Sequence, residues 1–162
     1  MHQAVRFTYN PKVSHAKAIK HICCYLKGTL TDGLMLHPGS NMNVISWVDA
    51  NFCGLYGTED VHDSTSVKSH TGYIITVANC PAIWVSKLQT ESALSTVESE
   101  FTALSQSMHS LIPLRCIMEE ISTSSFCLTS SDPISSTAKY TVFEDNTGAL
   151  TLAKTKKMTA HT

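Results

Sequence analysis

Charge is scarce in this chain. Of its 162 residues 15% are Asp, Glu, Lys or Arg, 43% are hydrophobic, and the net charge is −1. That balance excludes a disordered, charge-driven chain and leaves enough apolar material for one packed core. It supplies no strongly basic face for tight, stand-alone nucleic-acid binding. Lysine and arginine are thinly spread, with local clusters at Lys12 to Lys27 and Lys154 to Lys157. No apolar run approaches the roughly 18 residues of a membrane span. The start, Met1-His2-Gln3-Ala4, lacks the charged and apolar regions of a signal peptide. The expectation is an intracellular protein with no membrane partner. Also missing are C-x-x-C pairs among the six cysteines and H-x-x-x-H spacing among the eight histidines. That argues against zinc and leaves the cysteines as small buried hydrophobes in a reducing compartment.

Periodicity predicts a mixed α/β domain. Residues 14–27 place Ala18, Ile19, Ile22, Cys23 and Leu26 on one helical stripe, with Ser14 as N-cap and Gly28 as stop. Gly33 to His37, a Pro38-Gly39-Ser40-Asn41 turn and residues 43–52 read as a hairpin. In its second strand Ile45, Trp47 and Asp49 share one face and Val44, Val48 and Phe52 the other, the pattern of a central strand. Residues 54–71, with Asp60, His62, Asp63 and Lys68, read as a loop. Strands follow at 72–78 and 82–87, separated by an Asn79-Cys80-Pro81 turn. A long helix runs from about Ser95 to Ile121, with Leu94, Val97, Phe101, Leu104, Met108 and Leu111 recurring at three- and four-residue steps. Pro113 is expected to kink or break it. After a Ser/Thr-rich loop over 122–138, Tyr140 to Glu144 forms a strand and Asn146 to about Lys154 begins a helix. Strands and helices in this order imply a mixed sheet with helices packed on it.

What stands out against this background is three acids at the edges of apolar runs: Asp49, Glu98 or Glu100, and Asp145. A carboxylate beside apolar residues is costly unless paired, hydrogen-bonded or bound to a metal. Three of them far apart in sequence suggest side chains meeting around divalent cations, as in a metal-dependent phosphodiester hydrolase. Each has a plainer reading. Asp49 could open a turn with Asn51. Glu98 and Glu100 flank opposite sides of the apolar stripe, about 200° apart, so only one can join a cluster, and spacing alone does not choose. Asp145-Asn146 is a good N-capping pair, yet it also ends a strand, where α/β sheets present ligand-binding groups.

Six stretches, in order, resemble the ribonuclease H domain of copia-type LTR-retrotransposon polyproteins together with the tail of their reverse transcriptase. The family's "RYLKGT" is matched by Cys24-Tyr25-Leu26-Lys27-Gly28-Thr29, and "YSDADWAG" by Trp47 to Gly54. "STSGY" is echoed by Val67 to Tyr73, "WSSKKQ" by Trp84 to Gln89, "ALSSTEAEYIAL" by Ala93 to Leu104 and "CDNQSAIALA" by Glu144 to Ala153. The resemblance implies a ribonuclease H-like mixed β-sheet flanked by α-helices over 31–162, incomplete at its C-terminus, preceded by the polymerase tail over 1–30. It selects Glu100 over Glu98, because the family's helix acid directly precedes a bulky apolar residue with alanine two positions on, as in Glu100-Phe101-Thr102-Ala103. It implies hydrolysis of the RNA strand of an RNA–DNA hybrid by Asp49, Glu100 and Asp145 around two Mg²⁺ ions, with Mn²⁺ able to substitute. Lys87, Gln89 and Asn146 are the expected substrate contacts. The partners implied are the hybrid and the rest of the reverse transcriptase polyprotein, in the cytoplasmic particle of a retroelement or the nucleus.

The family continues past its last helix with "RTKHID" and a helix carrying a fourth carboxylate. Here Met158-Thr159-Ala160-His161-Thr162 matches only the approach, so the fourth acid is expected to be missing. The alternative expectation is an inactive retrotransposon-derived remnant with weak nucleic-acid binding. An integrase core is disfavoured, since its acids run Asp, Asp, Glu.

Overall fold

The computed structural model describes residues 8–57, 62–123 and 138–155. Asp60, most of the Ser/Thr-rich segment with Cys127, and Met158 to Thr162 lie outside the described residues. The chain divides into two compact units, Met1–Leu36 and His37–Thr162.

The first unit holds helix α1, Val13–Gly28. It starts earlier than expected: Lys12 rather than Ser14 is the N-cap, and its backbone N–H donates to His15 Nδ1 at 3.0 Å. Gly28 is the last helical residue, and the Thr29 N–H closes the end on Tyr25 and Leu26 carbonyls. None of α1 is buried; Ile19, Leu26 and Tyr25 on its apolar side stay open.

The second unit is a four-stranded mixed sheet with one long helix across one face. Its strands are β1 (Val44–Asn51), β2 (His70–Val77), β3 (Cys80–Leu88) and β4 (Tyr140–Phe143), in the order β3-β2-β1-β4. β1 pairs antiparallel with β2 and parallel with β4. Gly33 to His37 therefore forms no hairpin strand: both edges of β1 are already hydrogen-bonded, and Leu34 and Met35 stay about three-quarters exposed. The β2–β3 turn falls at Ala78 and Asn79, whose positive φ of 50° and 65° gives the two-residue hairpin geometry. Pro81 sits in the edge strand, next to a register irregularity.

β1 alternates strictly. Val44, Ser46, Val48 and Ala50 are buried, while Trp47, Asp49 and Asn51 are exposed. Helix α2, Thr96–Thr123, covers the buried face, where Ala103, Leu104 and Leu111 meet Val44, Val48, Tyr73 and Ile75. The Tyr73 hydroxyl and Ser110 Oγ, 2.8 Å apart, tie helix to sheet. Pro113 does not end α2, contrary to the expected break. Leu111 before it and Leu114 after it both pack on the core, so burial on either side offsets the lost backbone bond. The opposite sheet face is open: Trp47, half exposed, stacks on Phe143 with ring centroids 4.4 Å apart, and Ile74 and Trp84 are also exposed. Helix α3, Thr147–Lys154, follows β4.

The described cysteines are free, and none is fully buried: Cys23, Cys24 and Cys116 are exposed. The expectation of buried thiols fails because α1 and the outer side of α2 face solvent. Among the described residues no helix is long and apolar enough to cross a membrane.

Candidate metal centre

Parallel pairing brings two of the acids together. β1 and β4 run side by side in register, Trp47 opposite Phe143, so two residues further on Asp49 and Asp145 emerge at the same end of the sheet. Directly across from Asp49 on β2 stands Gly72, which leaves that side of the carboxylate without a neighbouring side chain. Early in α2, Glu100 comes from the covered face and completes the group. Carboxylate oxygens of Asp49, Glu100 and Asp145 all lie within 4.8 Å of one another. Asp49 and Asp145 are exposed and Glu100 is only 8% exposed.

Local hydrogen bonds show why these acids, and not their neighbours, converge. Glu98 is held at the start of α2: its Oε2 accepts from the Leu94 N–H at 2.7 Å, and its own N–H donates to Ser95 Oγ. That is a capping arrangement, and it turns Glu98 away. Asn146, not Asp145, caps α3, its Oδ1 accepting from the Ala149 N–H at 3.0 Å. Asp145 is thus spared the capping role its position allowed.

Burial gives Glu100 a carboxyl pKa pushed up to about 7; the charges of Glu144, Asp49 and Asp145 add to the shift, and a backbone hydrogen bond from Ala50 opposes it. Its Oε2 is buried with no hydrogen-bond partner. An orphaned buried carboxylate oxygen within a cluster of acids suits a divalent cation, which accepts hard oxygen ligands. Asp49, Glu100 and Asp145 could hold such an ion. An open cavity of about 580 Å³, lined by Asp49, Asp145 and Glu144 but not by Glu100, runs along the open sheet face past Gly72, Ile74, Trp47 and Phe143.

The expected substrate contacts separate. Lys87 is exposed on edge strand β3, in the row of Thr71 and therefore one residue beyond the Asp49–Gly72 row. The Asn146 side-chain oxygen is engaged in its cap. Gln89 is 3% exposed, and its Nε2 donates to Thr71 Oγ1 at 3.1 Å and to the Ser99 carbonyl at 2.9 Å. It is therefore a bolt between β2 and the start of α2 rather than a surface group. Replacing Gln89 by Leu strands buried polar groups and should cost about 2–3 kcal/mol in urea unfolding; a loss below about 0.5 kcal/mol would contradict this role. A fourth acid, Glu144, stands within hydrogen-bonding reach of Glu100. Sequence reading passes it over, although strand alternation from the outward Phe143 was a signal that the next side chain turns inward.

Comparison with known proteins adds ancestry. The chain is 31% identical over 157 residues to the retrovirus-related Pol polyprotein from transposon TNT 1-94 of Nicotiana tabacum, covering 97% of this chain and 10% of that protein. It is 29% identical over 99 residues to the corresponding polyprotein from transposon RE1 of Arabidopsis thaliana, covering 61% of this chain and 6% of that one. It is also similar to the secreted RxLR effector protein 161 of Plasmopara viticola, at 31% over 101 residues, 62% of this chain and 66% of that protein. No protein-family model matches, and no solved structure matches significantly. The two plant homologues are thus retrovirus-related Pol polyproteins of transposons, and the chain spans a tenth or less of the length of each.

Proposed function

We propose that this relative of transposon Pol polyproteins is their ribonuclease H segment, preceded over residues 1–30 by the tail of the polymerase, and that it hydrolyses the RNA strand of RNA–DNA hybrids. One observation carries the reading: Asp49 on β1, Glu100 on α2 and Asp145 just after β4 bring their carboxylate oxygens within 4.8 Å of one another, and Asp49 and Asp145 line an open cavity. Bound at these carboxylates, two Mg²⁺ ions would supply an activated water and stabilise the leaving 3′-oxygen. The chain's own part is to hold the ligands still and keep the approach clear. Glu100 is fixed by burial under β1. Asp49 and Asp145 reach into solvent, where a phosphodiester can approach, and Gly72 leaves the side of Asp49 free. RNA would be distinguished through its 2′-hydroxyls.

The test is incubation with a labelled RNA–DNA hybrid and Mg²⁺ or Mn²⁺, beside Asp145→Asn. Cation-dependent cleavage of the RNA strand, lost in Asp145→Asn, is the expected result. A folded, pure protein that leaves the hybrid intact would instead support the second reading, an inactive remnant, which the thin spread of lysine and arginine favours.

A further inference from the structure

Glu144 directly follows β4 and is half-buried. Its Oε1 accepts from the Asn146 N–H at 3.2 Å, while its Oε2 is buried with no partner. Glu100, more than nine-tenths buried, has an Oε2 in the same condition. The two carboxylates are close enough to bond, yet both are acceptors when ionised and neither can satisfy the other. Among the described residues, no lysine, arginine or histidine forms an ion pair with any of the four acids. Unpaired buried carboxylates of this kind are strongly destabilising unless something positive joins them.

We propose that Glu144 is a fourth carboxylate ligand of the cation centre, acting with Glu100. The proposal rests on reading Asp49, Glu100 and Asp145 as that centre. Charge supports it: four carboxylates balance two divalent ions, whereas three leave a positive charge over. So does chemistry, since the unpartnered Oε2 atoms of Glu100 and Glu144 are hard oxygen donors of the kind Mg²⁺ and Mn²⁺ take.

The experiment is a Mn²⁺ titration of the full chain, read by the electron paramagnetic resonance of free Mn²⁺. The variants are Glu144→Gln, Glu144→Asp and Asp145→Asn, with Glu91→Gln as a charge control on an exposed acid. Binding by the unaltered chain and by Glu91→Gln should match. Glu144→Gln should weaken it by about 10–100-fold. Glu144→Asp keeps the charge but withdraws the oxygens by one methylene, so it should also weaken binding, which a mere electrostatic neighbour would not do. It serves as the readout if Glu144→Gln fails to fold. Unchanged affinity in Glu144→Asp, with binding lost in Asp145→Asn, would overturn the role of Glu144 and leave the three-acid centre standing. Absence of Mn²⁺ binding by the unaltered chain would overturn both.

Discussion

Asp49→Asn should lower single-turnover cleavage of an RNA–DNA hybrid by on the order of a thousandfold, with little change in stability. Asp49 lies on the central strand, pairs across to Gly72 and reaches both Glu100 and Asp145. Asparagine keeps its size but loses the charge that would hold a cation against the substrate phosphate. Because Asp49 is exposed, removing its charge also relieves repulsion in the metal-free cluster, so the melting temperature should hold or rise. Cleavage within tenfold of the unaltered protein would remove Asp49 from the mechanism.

Glu100→Gln should have opposite effects with and without cation. The Glu100 carboxyl titrates near 7 in the folded protein against 4.5 for its ordinary value. The folded state therefore holds the extra proton between those values, and stability falls as pH rises through that window. The metal-free protein should be most stable near pH 5 and lose about 2 kcal/mol by pH 8. Glutamine removes the buried charge, so at pH 8 the metal-free variant should melt higher than the unaltered chain. Added Mg²⁺ or Mn²⁺ should raise the melting temperature of the unaltered chain and leave the variant nearly where it was. Thermal melts at pH 5 and pH 8, with and without Mn²⁺, read all four corners. A metal-free variant less stable at pH 8 than the unaltered chain would contradict the account.

Much of this is legible in the residues. The stripe through Phe101, Leu104, Met108 and Leu111 gives the long helix, and the alternation through Val44 to Asn51 gives the central strand, because both depend on short-range spacing. The choice between Glu98 and Glu100 is different: spacing leaves it open, and it turns on which carboxylate the Leu94 N–H captures. Asp145 and Asn146 divide along the same line, one hydrogen bond to Ala149 deciding which is the cap. Gly33 to His37 misleads because a strand needs a free edge, and the edges of β1 are taken by segments far away in sequence. Gln89 misleads for a related reason. Its polarity suggests a surface, but Thr71 and Ser99 bury it. Glu144 is hidden by its neighbour, since an acid beside a stronger candidate reads as surface until the turn of the strand is known.

The parallel pairing of β1 with β4 has a consequence for how this protein becomes competent. The four paired positions join residues 44–47 to residues 140–143, the least local union in the sheet, whereas β1, β2 and β3 are neighbours in sequence. Contacts that close long loops form late, and a four-residue strand at an edge is among the first to open. The meander and α2 can therefore assemble before the last acids arrive. Hydrogen exchange should find Val142 and Phe143 opening more readily than Ile74 and Ile75. Competence would then appear abruptly, on the final docking event, rather than in proportion to folding.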